Sequence, residues 1–197
     1  VLYWRADRLI PVPTTVDPAA ASTIILNYIV AYQSMHRNAH VRQGDKVLIV
    51  GASGGIGTAL MQLGKLAGLK MYGLASESKH DLLRQMDVTP IDYRMQDFVE
   101  VLRDLEPGGL DAVFDGMSGD YIQRGLDVLG RGGTLVSFGE PPSLRALFGM
   151  LGTMITTNLL PNGKVFKFYG TSFYFIGNRR PFNEDWAELF RLLESGA

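Results

Sequence analysis

Val47-Leu48-Ile49-Val50-Gly51-Ala52-Ser53-Gly54-Gly55-Ile56-Gly57 decides the fold of this 197-residue chain. Four consecutive apolar residues, entered from Lys46 and left through a turn, read as a short strand buried on both faces. Beyond the turn, Ala59, Leu60, Leu63 and Leu66 recur at helical spacing, so the glycines lie between a buried strand and a helix. A dinucleotide fingerprint occupies that place. Glycine permits the tight turn and lets a pyrophosphate approach the backbone, while the helix N-terminus offers unpaired N–H groups and a partial positive charge. Ala52 stands where the strict Gly-x-Gly-x-x-Gly pattern has its first glycine. The strand before and the helix after are what carry the reading. Ala52, Ser53, Gly54, Gly55 and Ile56 are therefore candidate phosphate-facing residues, and Gly57 allows close packing of the helix.

Outward from this loop the same pattern repeats. Strands are expected over 70–74, 89–91, 112–114 and 134–138, and helices over 78–86, 96–105 and 121–129. Gly130-Arg131-Gly132-Gly133 reads as the turn before the last of these strands. Apolar runs alternating with helices imply a doubly wound parallel sheet, a Rossmann fold in three αβα layers, over residues 41–197. Residues 1–40 read as a lead-in: Pro11, Pro13 and Pro18 keep the start extended, Asp17-Pro18 opens a helix, and a second helical stretch covers 24–36. Towards the C-terminus, 141–158 and 183–194 read as helices and 164–175 as an aromatic-rich strand.

Charge is nearly balanced, 19 Lys+Arg against 20 Asp+Glu, which argues against a nucleic-acid scaffold. A hydrophobic share of 46% excludes a disordered chain. There are no cysteines, so disulfides, thiolate zinc sites and Cys nucleophiles are impossible. No stretch is long and apolar enough to span a bilayer. The chain opens at Val1 and stops at Ser195-Gly196-Ala197, and it reads as a domain of a longer, cytoplasmic protein.

Three stretches, Leu26-Asn27-Tyr28-Ile29-Val30-Ala31-Tyr32-Gln33, Gly51 to Gly57 and Asp115-Gly116-Met117-Ser118-Gly119, together resemble the medium-chain dehydrogenase/reductase superfamily. The similarity is to its zinc-independent quinone oxidoreductase branch. Ala75-Ser76-Glu77-Ser78-Lys79-His80 and Pro90-Ile91-Asp92-Tyr93 look most like the subgroup of vesicle amine transport protein homologues. The resemblance covers the cofactor-binding half of such proteins. It implies that a GroES-like catalytic half lies elsewhere, and that Leu26 stands near the place of a zinc-ligating cysteine in zinc alcohol dehydrogenases. His36, His40 and His80 share no ligand spacing, so no metal is expected. A short-chain reductase, which needs a Tyr-x-x-x-Lys pair, is excluded: Gly125, Phe173 and Asn178 stand four residues after Tyr121, Tyr169 and Tyr174.

An acidic residue ending the second strand would hold the ribose hydroxyls of NAD and repel the 2′-phosphate of NADP. Here that strand ends in Ala75-Ser76, neutral and small. Related quinone reductases hold the phosphate with a serine, a lysine and a tyrosine resembling Ser76, Lys79 and Tyr93, so the expected cofactor is NADPH. Ser76 as a helix cap and Lys79 as a solvated first-turn residue form the competing reading. The resemblance also implies that Gly116 and Met117 border the adenosine ribose and the bridge to nicotinamide. It puts Phe138 and Gly139 near the nicotinamide, with Asn27 on its other side. Asp115 reads equally as a turn-former.

No convincing general acid or base emerges, which fits a protein that orients a hydride-carrying cofactor. The expected function is thus NADPH-dependent reduction of a small quinone, enone or enoyl substrate. The alternatives are the enoyl reductase domain of a polyketide or fatty-acid synthase, and a silent nucleotide-binding interaction module. The aromatic run from Phe166 to Phe175 is expected at the sheet edge, where it would pair across a homodimer or lie covered in a monomer.

Overall fold

Side chains alternate faces along a strand, and the central strand β1 (Lys46–Val50) shows the consequence. Val47 and Ile49 enter one apolar core, Leu48 and Val50 the other, and all four are at most 2% exposed. A strand buried on both sides needs a helical layer on each, which is the three-layer architecture expected. The computed structural model describes residues 9–141, 143–171 and 178–196.

Among the described residues the sheet has six strands, all parallel: β1, β2 (Lys70–Ala75), β3 (Val88–Asp92), β4 (Leu110–Asp115), β5 (Leu129–Ser137) and β6 (Val165–Phe168). Their spatial order is β3-β2-β1-β4-β5-β6. The order reverses between β1 and β4, and ligands of open α/β sheets bind at that switch point, beyond the carboxyl ends of the strands. The helix Gly55–Leu66 after β1 packs into one core through Ala59, Leu60 and Leu63. The helix Asp120–Val128 after β4 packs into the other through Ile122 and Leu126. The two helices therefore diverge and leave a crevice between them.

Asp17 caps the first helix as expected, accepting from the Ala20 N–H at 2.8 Å, with Pro18 in the first turn. That helix and the next one expected form a single helical run over 18–39. Two π-helical segments, Ile24–Tyr28 and Gln33–Ala39, interrupt it. Ile29, Val30, Ala31 and Met35 join the core formed with the helices Gly55–Leu66 and Arg180–Glu194. Residues 1–8 of the expected lead-in lie outside the described residues.

Two further expectations are corrected. Residues 130–133 are not a turn preceding a strand but part of β5, whose register against β4 jumps from Leu110↔Leu129 to Ala112↔Thr134. The bulge needs glycine: Gly132 has φ +86°, and a Cβ on Gly109 would fall 2.4 Å from the Gly130 nitrogen. Residues 78–86 divide into a 3₁₀ turn, Glu77–Lys79, and the helix His80–Gln85. At the far edge β6 ends at Phe168, and residues 172–177 of the expected aromatic strand lie outside the described residues.

Candidate cofactor-binding site

Gly51 turns the chain out of β1 at φ +80°, a left-handed conformation that a side chain would strain. Ala52, fully buried, donates its N–H to the Leu74 carbonyl at 3.2 Å and so ties the loop to β2. Its methyl group lies where Gly73 has no side chain; a Cβ on Gly73 would approach it to 2.9 Å. This explains why alanine is accepted at the first position of the fingerprint. Gly54 caps the helix without a side chain, and the first in-register bond runs from the Thr58 N–H to the Gly54 carbonyl at 2.8 Å. The amides of Gly55 and Ile56 consequently have no acceptor within the helix, and its first turn carries no acidic residue. Gly57 is the tightest point: a Cβ there would meet the Gly51 oxygen at 2.3 Å and the Ala52 oxygen at 2.5 Å. Asn27, from the first π-helical segment, lies over Gly55, its Nδ2 2.7 Å from where a Cβ would project.

A cleft of about 300 Å³ opens beside this loop, lined by Val50, Gly51, Ser53, Gly54, Leu74, Ala75, Ser76, Tyr93, Met117 and Tyr121. It falls at the low end of the size range of small-molecule sites. Of the expected residues, Ser53, Gly54, Ser76, Tyr93 and Met117 meet here. Ser76 holds the N-cap position of the following turn, but its side chain makes no capping bond; its hydroxyl faces that of Ser78 at 3.3 Å. Lys79 stands exposed on the 3₁₀ turn and outside the lining. Arg94, which sequence reasoning missed, is attached to the lining through Tyr93. Its guanidinium lies 5.5 Å from the Tyr93 ring centroid, and its Nε donates to the Tyr93 hydroxyl at 3.3 Å. Tyr121 was missed as a site residue too, although an aromatic side chain in the first turn after β4 could have signalled it. Its ring stacks on Phe98 at 6.1 Å.

Beyond Met117 the loop after β4 and the end of β5 are packed together. A Cβ on Gly116 would meet the Phe138 ring at 2.9 Å, and one on Gly139 would meet the Gly116 oxygen at 2.8 Å. Asp115 is fully buried, and burial pushes its carboxyl above the ordinary value, opposed by the donors of Met117, Ser137 and Ser118. Tyr28 is outside the cleft lining, its hydroxyl donating to the Gln62 side chain.

An all-parallel sheet in this order, with a glycine-built helix N-terminus at its switch point, defines an α/β dinucleotide-binding type of domain. The chain belongs to the zinc-binding dehydrogenase family, whose model matches residues 55–195, as its resemblance to medium-chain dehydrogenase/reductases implied. It is 40% identical over 133 residues to the synaptic vesicle membrane protein VAT-1 homolog of Danio rerio, covering 66% of this chain and 27% of that protein. Over 138 residues it is 33% identical to a phenolphthiocerol/phthiocerol polyketide synthase protein of Mycobacterium tuberculosis, covering 68% of this chain and 6% of that one. The fold superposes on Escherichia coli quinone oxidoreductase complexed with NADPH with a TM-score of 0.80 and 25% identity, across 97% of this chain and 58% of that one. The chain thus spans well under two thirds of the length of these relatives.

The family description names zinc, and the residues of this span do not fit it. The sequence has no cysteine, and among the described residues no three His, Asp or Glu side chains converge. His80 is engaged with the Ala75 carbonyl at 3.3 Å, and the His36 ring packs on Tyr32 at 4.5 Å. Among the described residues no helix is long and apolar enough to cross a membrane.

Proposed function

We propose that this span is the NADPH-binding half of a zinc-independent oxidoreductase that reduces a quinone, an enone or an enoyl substrate. One observation carries the choice of NADPH: the cleft wall at the end of β2 is Ala75-Ser76, faced by Tyr93 with Arg94 attached, and among the described residues no carboxylate is in the lining. In this reading the amides of Gly55 and Ile56 receive the pyrophosphate, with Ala52 and Ser53 shaping the loop. Ser76, Tyr93 and Arg94 receive the 2′-phosphate, Lys79 adding charge from the neighbouring turn. Gly116 and Met117 border the ribose and the bridge. Phe138, Gly139 and Asn27 flank the nicotinamide.

When bound, NADPH supplies the hydride. This chain's residues bind it and orient it towards a substrate pocket completed by other parts of the protein. Cytoplasmic location and self-association across the β6 edge belong to the same proposal; a monomer by light scattering at high concentration would remove the latter.

The experiment is calorimetric titration of the protein with NADPH and NADH, repeated for Arg94→Ala and Lys79→Ala. NADPH should bind at least about tenfold tighter than NADH. Arg94→Ala should remove most of that preference, and Lys79→Ala a smaller part. Equal affinity for the two cofactors in the unaltered protein would refute the NADPH assignment. The match to a polyketide synthase favours an enoyl reductase as the second reading, distinguished by turnover of an enoyl thioester in preference to quinones.

A further inference from the structure

Asp115 ends β4, and each of its carboxylate oxygens receives a donor. Oδ1 accepts from the Met117 N–H at 2.9 Å and from the Ser118 N–H at 3.1 Å; Oδ2 accepts from the Ser137 hydroxyl at 2.9 Å. Its main-chain oxygen accepts from the Phe138 N–H at 2.9 Å. Ser118 closes the circuit, its hydroxyl donating to the Gly139 carbonyl at 2.8 Å. Side-chain hydrogen bonds from Asp115 and Ser118 therefore join loop 116–119 to segment 137–139, with no spacer between Gly116 and the Phe138 ring.

Ser118 holds φ +59°, the left-handed region that costs a side chain and that the adjoining Gly119 enters freely at +64°. A residue serving only the turn would be cheaper as glycine. The hydroxyl is what glycine lacks, and that hydroxyl is engaged with Gly139.

We propose that Asp115 and Ser118 are positioning residues that lock these two segments into one rigid wall for the nicotinamide end of the cofactor. The proposal rests on the cofactor reading above, and it concerns chiefly the nicotinamide half, since Met117, which Asp115 also holds, borders the adenosine cleft. Asp115 touches neither substrate nor cofactor; it acts through the backbone of 116–118 and through Ser137. With the wall loosened, the nicotinamide end should lose its fixed surface, while the adenosine end, held mainly by the loop after β1 and by Ser76, Tyr93 and Arg94, should lose little.

The test compares the affinities of NADPH and of 2′,5′-ADP, which lacks the nicotinamide half, in the unaltered protein and in Ser118→Gly and Asp115→Asn. Ser118→Gly removes the hydroxyl while relieving the backbone, so it remains informative where Asp115→Asn fails to fold. The expected result is 2′,5′-ADP affinity held within about twofold and NADPH affinity reduced roughly five- to tenfold. Equal losses for both ligands, or no loss for either, overturn the inference. So does an unaltered protein that binds NADPH no more tightly than 2′,5′-ADP, a result that leaves the cofactor reading standing. Failure of the unaltered protein to bind either ligand removes that reading and the inference with it.

Discussion

At the carboxyl end of the sheet, Gly54 leaves the amides of Gly55 and Ile56 uncapped, and Ser76, Tyr93 and Met117 border an open cleft. At the amino end, the buried Glu106 accepts from Lys46 at 2.5 Å, Lys70 at 2.6 Å and the Tyr72 hydroxyl at 2.5 Å. Lys46 and Lys70 open β1 and β2, and Glu106 ends the helix Phe98–Leu105. Both ends belong to the same adjacent strands, β1 and β2, yet one satisfies its charges internally while the other keeps donors for something else. The bonds from Lys46, Lys70 and Tyr72 hold the Glu106 carboxyl at about 2, well below the ordinary value. Such internal closure marks the amino end as the part that stabilises, and the open donors suit the binding role proposed for the other.

The largest effect that can break this contrast is expected at Gly57. Gly57→Val drives a side chain into the Gly51 and Ala52 carbonyls and should abolish NADPH binding, with a stability cost of about 1–3 kcal/mol from overpacking. Retained binding in calorimetry would show that the loop does not hold the pyrophosphate. Ser76→Asp follows, setting a carboxylate where the 2′-phosphate is proposed to lie. NADPH affinity should fall about ten- to a hundredfold while NADH affinity changes little.

Glu106→Gln should leave cofactor affinity at neutral pH unchanged and lower stability by about 1–3 kcal/mol through loss of charge-assisted hydrogen bonds. Because the folded carboxyl lies below its unfolded value, its stabilisation is complete above the ordinary carboxylate range and disappears as pH falls towards about 2. Thermal melts across that window should show the acid loss in the unaltered protein and a shallower slope in Glu106→Gln. A change in cofactor affinity at neutral pH would blur the division between the two ends.

The strands and the loop were legible because their signals are local. Val47 to Val50 is apolar without interruption, and the glycines follow at once. The Glu106 cluster was not legible, since Lys46, Lys70 and Tyr72 reach Glu106 from other elements. Arg94 was passed over for the same kind of reason: in sequence it is one more surface arginine after β3, and only its placement on Tyr93 ties it to the cleft. Residues 130–133 misled because glycines signal a turn and a strand bulge alike, and pairing with β4 decides between them.

By itself, then, the sequence determined the alternation of buried strands and helices, the glycine loop at the first crossover and the absence of thiol chemistry. Each depends on residues adjacent in the chain or one helical turn apart. The tertiary structure alone decided that Ala52 nests on Gly73, that Arg94 rests on the Tyr93 of the cleft wall, and that Asp115 and Ser118 bind two loops into one. Those outcomes depend on distances between separate strands, and residue order fixes such distances only once the sheet has formed.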